Sequence, residues 1–374
     1  MLFKDVVGQD EIKKQLISQV DSGRLPHAIL LAGETGYGTM ALALALANYV
    51  LCDNHHDGDS CDSCPECVKV NKLIHPDLHF SFPVIKKSES TNSDTFLKEW
   101  RSMLLADKYF DYNDWLKHLK SESKQAYILQ AESQSIIRKA TLTSYEGGWK
   151  VIIIWLPERM FSDIPANTLL KTIEEPPKKT LFILCSEKPE LLLDTIRSRT
   201  QRIDVPPINT NDLCEALTKQ RGIDPAMAVN ISRIAKGNYL TAIRHLCEGD
   251  DSQEQLEKFK SLMRLAYSRN LKGITAWSEQ ISALNRDEQR AFLAYMQNMI
   301  RENFMYNFGR PELNFMTPQE LTFASKFAPF INERNIIGFA EELQRAQDDI
   351  SQNVNAKNIW FNLALRTIML IRAK

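Results

Sequence analysis

A glycine-rich turn between an apolar strand and an apolar helix constrains the fold of this chain more than any other feature. Residues 28–32 read Ala-Ile-Leu-Leu-Ala, which predicts a short buried strand. A turn with three glycines follows at 33–38, and residues 39–51 are mostly Ala and Leu without Gly or Pro, as in a buried helix. A strand, a glycine turn and a helix in this order are the frame of a phosphate-binding loop in an α/β domain.

The turn keeps the glycines of such a loop, Gly33, Gly36 and Gly38, but lacks the side chains that act on a nucleotide. A working loop continues with Lys, for the phosphates, and Ser or Thr, for Mg²⁺. Thr39 and Met40 stand there instead, and Mg²⁺ does not favour a thioether ligand. The motif alone fits a chance glycine turn about equally well. Backbone amides still leave weak phosphate binding open as an alternative.

Other apolar runs extend the sheet. Strands of a parallel sheet buried on both faces are predicted at 151–155, 181–185 and 202–205. The second strand ends in Trp155-Leu156, where an active ATPase carries the acids for Mg²⁺ and for the attacking water. Glu158 comes three residues late, and we interpret it as a surface residue. Both features predict that the chain does not hydrolyse ATP by itself.

Breaks in the pattern predict three domains. We expect an α/β domain at 1–207, closed by Pro206-Pro207, a small helical lid at 208–250 and an all-helical domain at 251–374. Residues 80–145 are interpreted as an inserted, mainly helical segment, without a role that the sequence defines. Helices are predicted at 163–175, 211–220, 225–235 and 240–247, and a linker at 248–252.

Composition limits the function classes. Formal net charge is −1 at pH 7, so no global positive field attracts nucleic acid. The longest apolar run is too short to cross a bilayer, and the N-terminus lacks a signal-peptide pattern. We therefore expect a cytoplasmic protein without membrane contact. Cysteines in that compartment stay reduced, so a cysteine cluster indicates a metal before a disulfide.

Four of the seven cysteines cluster within sixteen residues, with the spacing C-x8-C-x2-C-x2-C; they are Cys52, Cys61, Cys64 and Cys67. Four thiolates can close a tetrahedral structural zinc site, and the turn-forming residues between them suit such a loop. An iron–sulfur cluster is the rival interpretation, although a fourth cysteine upstream favours zinc. His55 and His56 are alternative ligands, but solvated loop histidines are the simpler interpretation.

Several segments together resemble the clamp-loader branch of the AAA+ ATPases, and within it the delta-prime subunits of bacterial DNA polymerase III. The similarity covers 1–79 and 146–250, whereas the C-terminal helices match in character only. The four cysteines correspond to the zinc module of that family. The other matching segments are Val7-Gly8-Gln9, Arg24-Leu25-Pro26-His27-Ala28, residues 167–177 (NTLLKTIEEPP) and residues 192–200 (LLDTIRSRT).

The resemblance implies a role for Arg199. It stands in the position of the family's Ser-Arg-Cys motif, with Thr200 in place of the usual cysteine. The family implies an arginine finger there, which reaches the γ-phosphate held by a neighbouring subunit. Arg197 is expected to be a helper or a local ion-pair partner. In active relatives a lid arginine senses nucleotide within Gly-x-x-Arg, and Leu240 occupies its place here.

The resemblance further implies a function. A hydrolysis-deficient subunit would support a hetero-oligomeric ring with ATP-binding subunits and a clamp-opening subunit, its helical C-terminal domain forming part of the collar. The sliding clamp and primed DNA would be reached mainly through the complex, and ATP binding by this chain is not expected. Two alternatives remain at this stage: an active ATPase of the same fold, and a zinc-containing nucleic-acid-binding protein with a vestigial ATPase frame.

Overall fold

The computed structural model describes residues 1–122, 124–160, 163–247, 249–310, 314–352 and 354–372. The chain divides into two compact units, Met1–Ile243 and Arg244–Lys374. The predicted bound at residue 250 stays a prediction. A separate lid beginning at residue 208 stays a prediction, because the first unit includes that segment.

The first unit is built on a five-stranded parallel sheet, which confirms the predicted fold class. Its strand order is β2-β3-β4-β1-β5, and β1, β3 and β4 are buried along their whole length because helices cover both faces. The strands are β1 Ala28–Ala32, β2 Leu78–Ser81, β3 Lys150–Trp155, β4 Thr180–Ser186 and β5 Gln201–Asp204.

Strand β2 was not predicted from the sequence, and its presence moves the start of the inserted segment, predicted at residue 80, to a later position. Phe80 and Ser81 belong to β2, which pairs with β3 in the register Leu78 to Val151. Leu-His-Phe-Ser alternates apolar and polar residues, but four residues are the shortest length at which this alternation predicts a strand. The pairing with β3 identifies the segment as a strand.

Helices of the first unit agree closely with the predicted ones. Helix α2 buries all of its residues except Thr39, as its Ala and Leu content predicted. The inserted segment contributes the helices α4, α5 and α6. The helices are α1 Asp10–Asp21, α2 Thr39–Leu51, α3 Pro65–Asn71, α4 Leu97–Ala106, α5 Tyr112–His118, α6 Gln130–Thr141, α7 Asp163–Glu174, α8 Asp194–Arg197, α9 Thr210–Arg221, α10 Pro225–Ile234 and α11 Tyr239–Cys247, which begins in the first unit and ends beyond its last residue, Ile243.

In the described residues of the second unit the regular elements are all helices, as predicted. Phe259, Trp277, Phe292 and Trp360 lie in its core, and the Trp360 indole donates a hydrogen bond to Gln289 Oε1 at 2.8 Å. Its helices are α12 Gly249–Ser268, α13 Leu271–Ser282, α14 Arg286–Tyr306, α15 Pro318–Phe327, α16 Ile336–Ser351 and α17 Ala356–Leu370. Across the described parts of the chain, none of the helices combines the length and the apolar character needed to cross a membrane.

The linker predicted at 248–252 is wrong for 249–252, which form the first turn of α12; Glu248 lies outside the described residues. The sequence Gly-Asp-Asp-Ser contains turn formers, but Asp and Ser are also favoured at helix N-termini, where they cap backbone amides and oppose the helix dipole. The apolar pattern after residue 252 decides whether these residues form a turn or the start of a helix.

Candidate functional site

The glycine loop lies at the carboxyl end of β1, between that strand and α2. Gly36 and Gly38 adopt left-handed backbone angles, with φ of 85° and 99°, which residues with a Cβ rarely adopt. A Cβ at Gly33 would lie 2.7 Å from the carbonyl oxygen of Val205, so this glycine allows the loop to approach the end of β5. The frame predicted from the sequence is thus present.

The lysine and hydroxyl positions of a working loop are occupied here by Thr39 and Met40. Thr39 begins α2, and its carbonyl oxygen accepts a hydrogen bond from the Cys185 thiol at 3.7 Å. Met40 is 4% exposed and packs in the core. A buried thioether does not supply the hard oxygen ligand that Mg²⁺ prefers.

The carboxyl end of β3 holds apolar groups where an ATPase places its acids. Trp155 and Leu156 are buried. Glu158, interpreted as a surface residue, is half-buried and has a structural role. It accepts hydrogen bonds from the Ser186 hydroxyl at 2.8 Å and from the Glu187 amide at 2.9 Å. Because these contacts fix its carboxylate at the end of β4, Glu158 stabilises a strand end.

The four cysteines of the predicted metal site come together in the structure. Their Sγ atoms all lie within 4.8 Å of one another. The Sγ–Sγ distances are 3.5 Å for Cys52–Cys61 and 3.9 Å for Cys61–Cys67. A tetrahedral shell with zinc–sulfur bonds of ~2.3 Å has sulfur–sulfur edges of about 3.8 Å. The donor set therefore fits a four-coordinate metal ion of this size.

Backbone amides point at these sulfur atoms. The amides of Cys64 and Cys67 donate to the sulfurs of Cys61 and Cys64, each at 3.4 Å. Amide hydrogen bonds from Ser63 and Cys64 lower the pKa of the Cys61 thiol to about 6, whereas burial raises the pKa of Cys52 and Cys67. A bound cation compensates for burying such thiolates.

Neither candidate histidine belongs to the cysteine cluster. His55 Nε2 lies 3.6 Å from Asp21 Oδ1, and its ring packs on Tyr49 with centroids 4.5 Å apart. His56 Nδ1 lies 3.1 Å from Asp57 Oδ2. Within the described ranges, the only group of three or more potential ligands that converges is the set of four cysteines.

The loop of the cysteine cluster connects distant parts of the first unit, which the sequence did not reveal. Asp59 accepts hydrogen bonds from the amides of Phe3 and Lys4 at 2.9 and 3.0 Å. On the other side of the cluster, Glu66 is paired with the buried His75 at 2.7 Å. These contacts tie the N-terminus and the segment before β2 to the cluster.

Arg199 lies just after α8, with its side chain about one third exposed. Its Nε is 3.0 Å from Glu174 Oε2 at the end of α7, and its Nη1 donates to the carbonyl oxygen of Thr195 at 3.0 Å. Arg197 pairs instead with Asp194 one turn earlier, as expected for a local ion-pair partner. The two arginines therefore have different ion-pair partners: Arg199 pairs with Glu174 of α7, whereas Arg197 pairs within its own helix.

The parallel sheet with a glycine loop at the end of β1, covered by helices, is the arrangement of a P-loop-type α/β domain. A family model described as "DNA polymerase III, delta subunit" matches residues 8–209, more than half of the chain. The chain therefore belongs to this family, in agreement with the resemblance seen in its motifs.

Individual relatives point to the same family. The DNA polymerase III subunit delta-prime of Bacillus subtilis is 27% identical over 261 residues, which are 70% of this chain and 66% of that protein. The delta-prime subunit of Escherichia coli is 24% identical over 80% of this chain and 76% of its own length. That of Yersinia pestis is 31% identical over 50% and 43%. The chain thus spans just under two thirds of the Bacillus protein.

Proposed function

We propose that this chain is a clamp-loader subunit of the delta-prime type, which does not hydrolyse ATP and completes the ATP site of a neighbouring subunit with Arg199. One observation carries this proposal. The chain presents a partly exposed guanidinium at Arg199, whereas Thr39, Met40 and Trp155 leave its own loop without the side chains of catalysis. Membership of the DNA polymerase III delta-subunit family supports the assignment to a clamp loader.

The partners proposed for this chain are the ATPase subunits and the clamp-opening subunit of a hetero-oligomeric ring. The sliding clamp and primed DNA would be contacted mainly through that ring. A net charge of −1 agrees with a minor direct contribution to DNA binding, since phosphate contacts need clustered Lys and Arg.

Capture from cell extract tests the assignment. The full-length chain, tagged and expressed at its natural level, is expected to retain clamp-loader ATPase subunits in a constant molar ratio at 150 mM salt, a typical physiological ionic strength. The isolated chain is expected to show no ATP turnover. Capture without such subunits, or ATP turnover by the isolated chain, contradicts the proposal.

We further propose that the four cysteines hold structural zinc. Supporting observations are the thiolate-only donor set and the compact arrangement of its sulfur atoms. With all four positions taken by Cys52, Cys61, Cys64 and Cys67, no coordination position is left for a substrate, as in structural zinc sites. The metal would stabilise the loop that Asp59 and Glu66 connect to the rest of the unit.

Glu174 provides a test of how Arg199 is positioned. Glu174→Gln is expected to lower the ATPase rate constant of the assembled complex by about three- to tenfold, because it weakens the contact that orients the guanidinium, and small misplacements of a catalytic group are costly. The rate constant is measured under single turnover.

The matched control is Glu175→Gln, which changes the exposed neighbouring acid. In an Arg199→Ala background, Glu174→Gln should have no further effect, since it acts through the missing guanidinium. Equal losses with and without Arg199 show that Glu174 acts by another route.

A further inference from the structure

The glycine loop is covered by a residue that follows α10. Asn238 Nδ2 donates a hydrogen bond to the carbonyl oxygen of Thr35 at 2.7 Å, and the Tyr239 amide donates to the carbonyl oxygen of Gly36 at 3.1 Å. A Cβ at Gly36 would lie only 2.0 Å from Asn238 Oδ1. The space that this glycine leaves open is therefore filled by the Asn238 carboxamide.

A second side chain reaches the loop from the inserted segment. Tyr109 lies between α4 and α5 and is 8% exposed. The nearest atoms of its ring and its hydroxyl lie 3.4 Å from the position of a Cβ at Gly38. Its hydroxyl accepts a hydrogen bond from the Val7 amide at 3.0 Å, and its ring packs on Tyr239 with centroids 4.5 Å apart. Tyr109 thus joins the loop, the N-terminal segment and the start of α11.

Tyr109 is held in this place by its neighbours on the inserted segment. Phe110 packs on Trp155 at the end of β3, with ring centroids 5.1 Å apart. Trp100 of α4 contacts the same indole at 5.2 Å. Asp107 forms an ion pair with Arg221 of α9 at 2.7 Å. These contacts with β3, α4 and α9 fix the segment that carries Tyr109.

Glycine loops bind phosphate because ligand atoms can approach a backbone that has no Cβ. In this chain groups of the protein itself lie against the loop. The Asn238 side chain fills the space beside Gly36, and the backbone of Val205 lies against Gly33. Tyr109 lies in van der Waals contact with the Cβ position of Gly38, whose φ of 99° by itself favours glycine. Internal packing and backbone conformation are thus sufficient to explain the three glycines without a bound nucleotide.

We propose that Tyr109 and Asn238 are built-in occupants of the glycine-loop site, and that the inserted segment serves to hold Tyr109 there and exclude a nucleotide. This inference rests on the proposed function, in which the chain's own loop is inactive. It adds a physical cause: the site is closed by side chains in addition to lacking its lysine. The closed site also fixes the lid segment around residue 238 against the loop without a ligand.

Binding of fluorescent N-methylanthraniloyl-ADP to the full-length chain tests the proposal. The wild-type chain is expected to show no saturable binding up to about 1 mM, the weak limit of specific affinity. The double variant Tyr109→Ala/Asn238→Ala is expected to bind at least tenfold more tightly. Tyr145→Ala is the control, because Tyr145 lies in the inserted segment and is 81% exposed; it should behave as wild type.

Identical titrations of the wild-type chain and the double variant overturn the occupancy proposal. If neither binds, the missing side chains alone explain the inactive loop, and the proposed function stands. If the wild-type chain binds the probe, both the occupancy and the inactive loop are wrong.

Hydrogen exchange gives a measurement that does not depend on folding of the double variant. ATP added to the wild-type chain should leave amide exchange at residues 33–40 unchanged, and protection there overturns the proposal. Tyr109→Phe, which removes only the hydroxyl, should speed exchange of the Val7 amide several-fold while the nucleotide still fails to bind. Unchanged exchange at Val7 overturns the anchoring of Tyr109.

Discussion

Arg199→Ala is expected to stop ATP hydrolysis at the one site that this chain completes in the assembled ring. An arginine finger contributes about 10³–10⁵ to the rate constant of phosphoryl transfer, so the loss at that site should reach at least about a thousandfold. Other sites of the ring need not slow directly. The effect is therefore measured best by single-turnover hydrolysis. The kinetic amplitude of ATP hydrolysis should decrease by the share that belongs to one site.

Assembly should survive this substitution. Arg199 is paired with Glu174 at a partly exposed surface, where ion pairs contribute only about 0–1 kcal/mol. Native mass spectrometry of the complex should show unchanged composition. Arg197→Ala is the matched control, because Arg197 pairs with Asp194 within its own helix and should change the rate little. Wild-type hydrolysis by an intact Arg199→Ala complex removes the finger assignment.

Cys67→Ser is expected to abolish metal binding and to lower the thermal unfolding temperature strongly. Cys67 is fully buried in the first turn of α3. A structural zinc ion contributes about 10–16 kcal/mol of binding free energy in zinc-finger peptides. Losing that contribution releases the loop that Asp59 connects to the N-terminus. Elemental analysis and circular dichroism during heating measure the two effects.

Cys214→Ser is the control for this substitution, since Cys214 is a free cysteine outside the cluster. It should retain about one zinc ion per chain and unfold near the wild-type temperature. Iron in place of zinc contradicts the assigned metal. Full metal content and unchanged unfolding of Cys67→Ser contradict the ligand set itself.

Local patterns in the sequence predicted the parts of the molecule that local physics controls. Helix α2 could be predicted because thirteen residues without Gly or Pro favour a helix and have too little polar surface to lie in solvent. The convergence of the four cysteines could be predicted because short C-x2-C spacings in a turn bring thiols close together. Strand β2 was not predicted because its apolar–polar alternation covers only four residues, and its pairing with β3 identifies it.

Contacts between distant segments could not be predicted in the same way. The hydrogen bond from the Val7 amide to Tyr109 spans 102 residues, and that from Asn238 to the Thr35 carbonyl oxygen spans 203. No periodicity or spacing in a single chain specifies such partners. Packing of the whole chain brings these segments together. The buried tyrosine hydroxyl and the loop carbonyl then form hydrogen bonds, because a buried polar group without a partner is destabilising.

The sequence by itself determined that this chain has the frame of a nucleotide-binding domain without its lysine, a four-cysteine cluster and an arginine motif, since each depends on residues close together in the chain. Only the tertiary structure decided what surrounds them. It placed Glu174 beside Arg199, left both histidines outside the cysteine cluster and laid Tyr109 and Asn238 over the glycines. These outcomes depend on which distant surfaces bury one another, and that is a property of the packed chain as a whole.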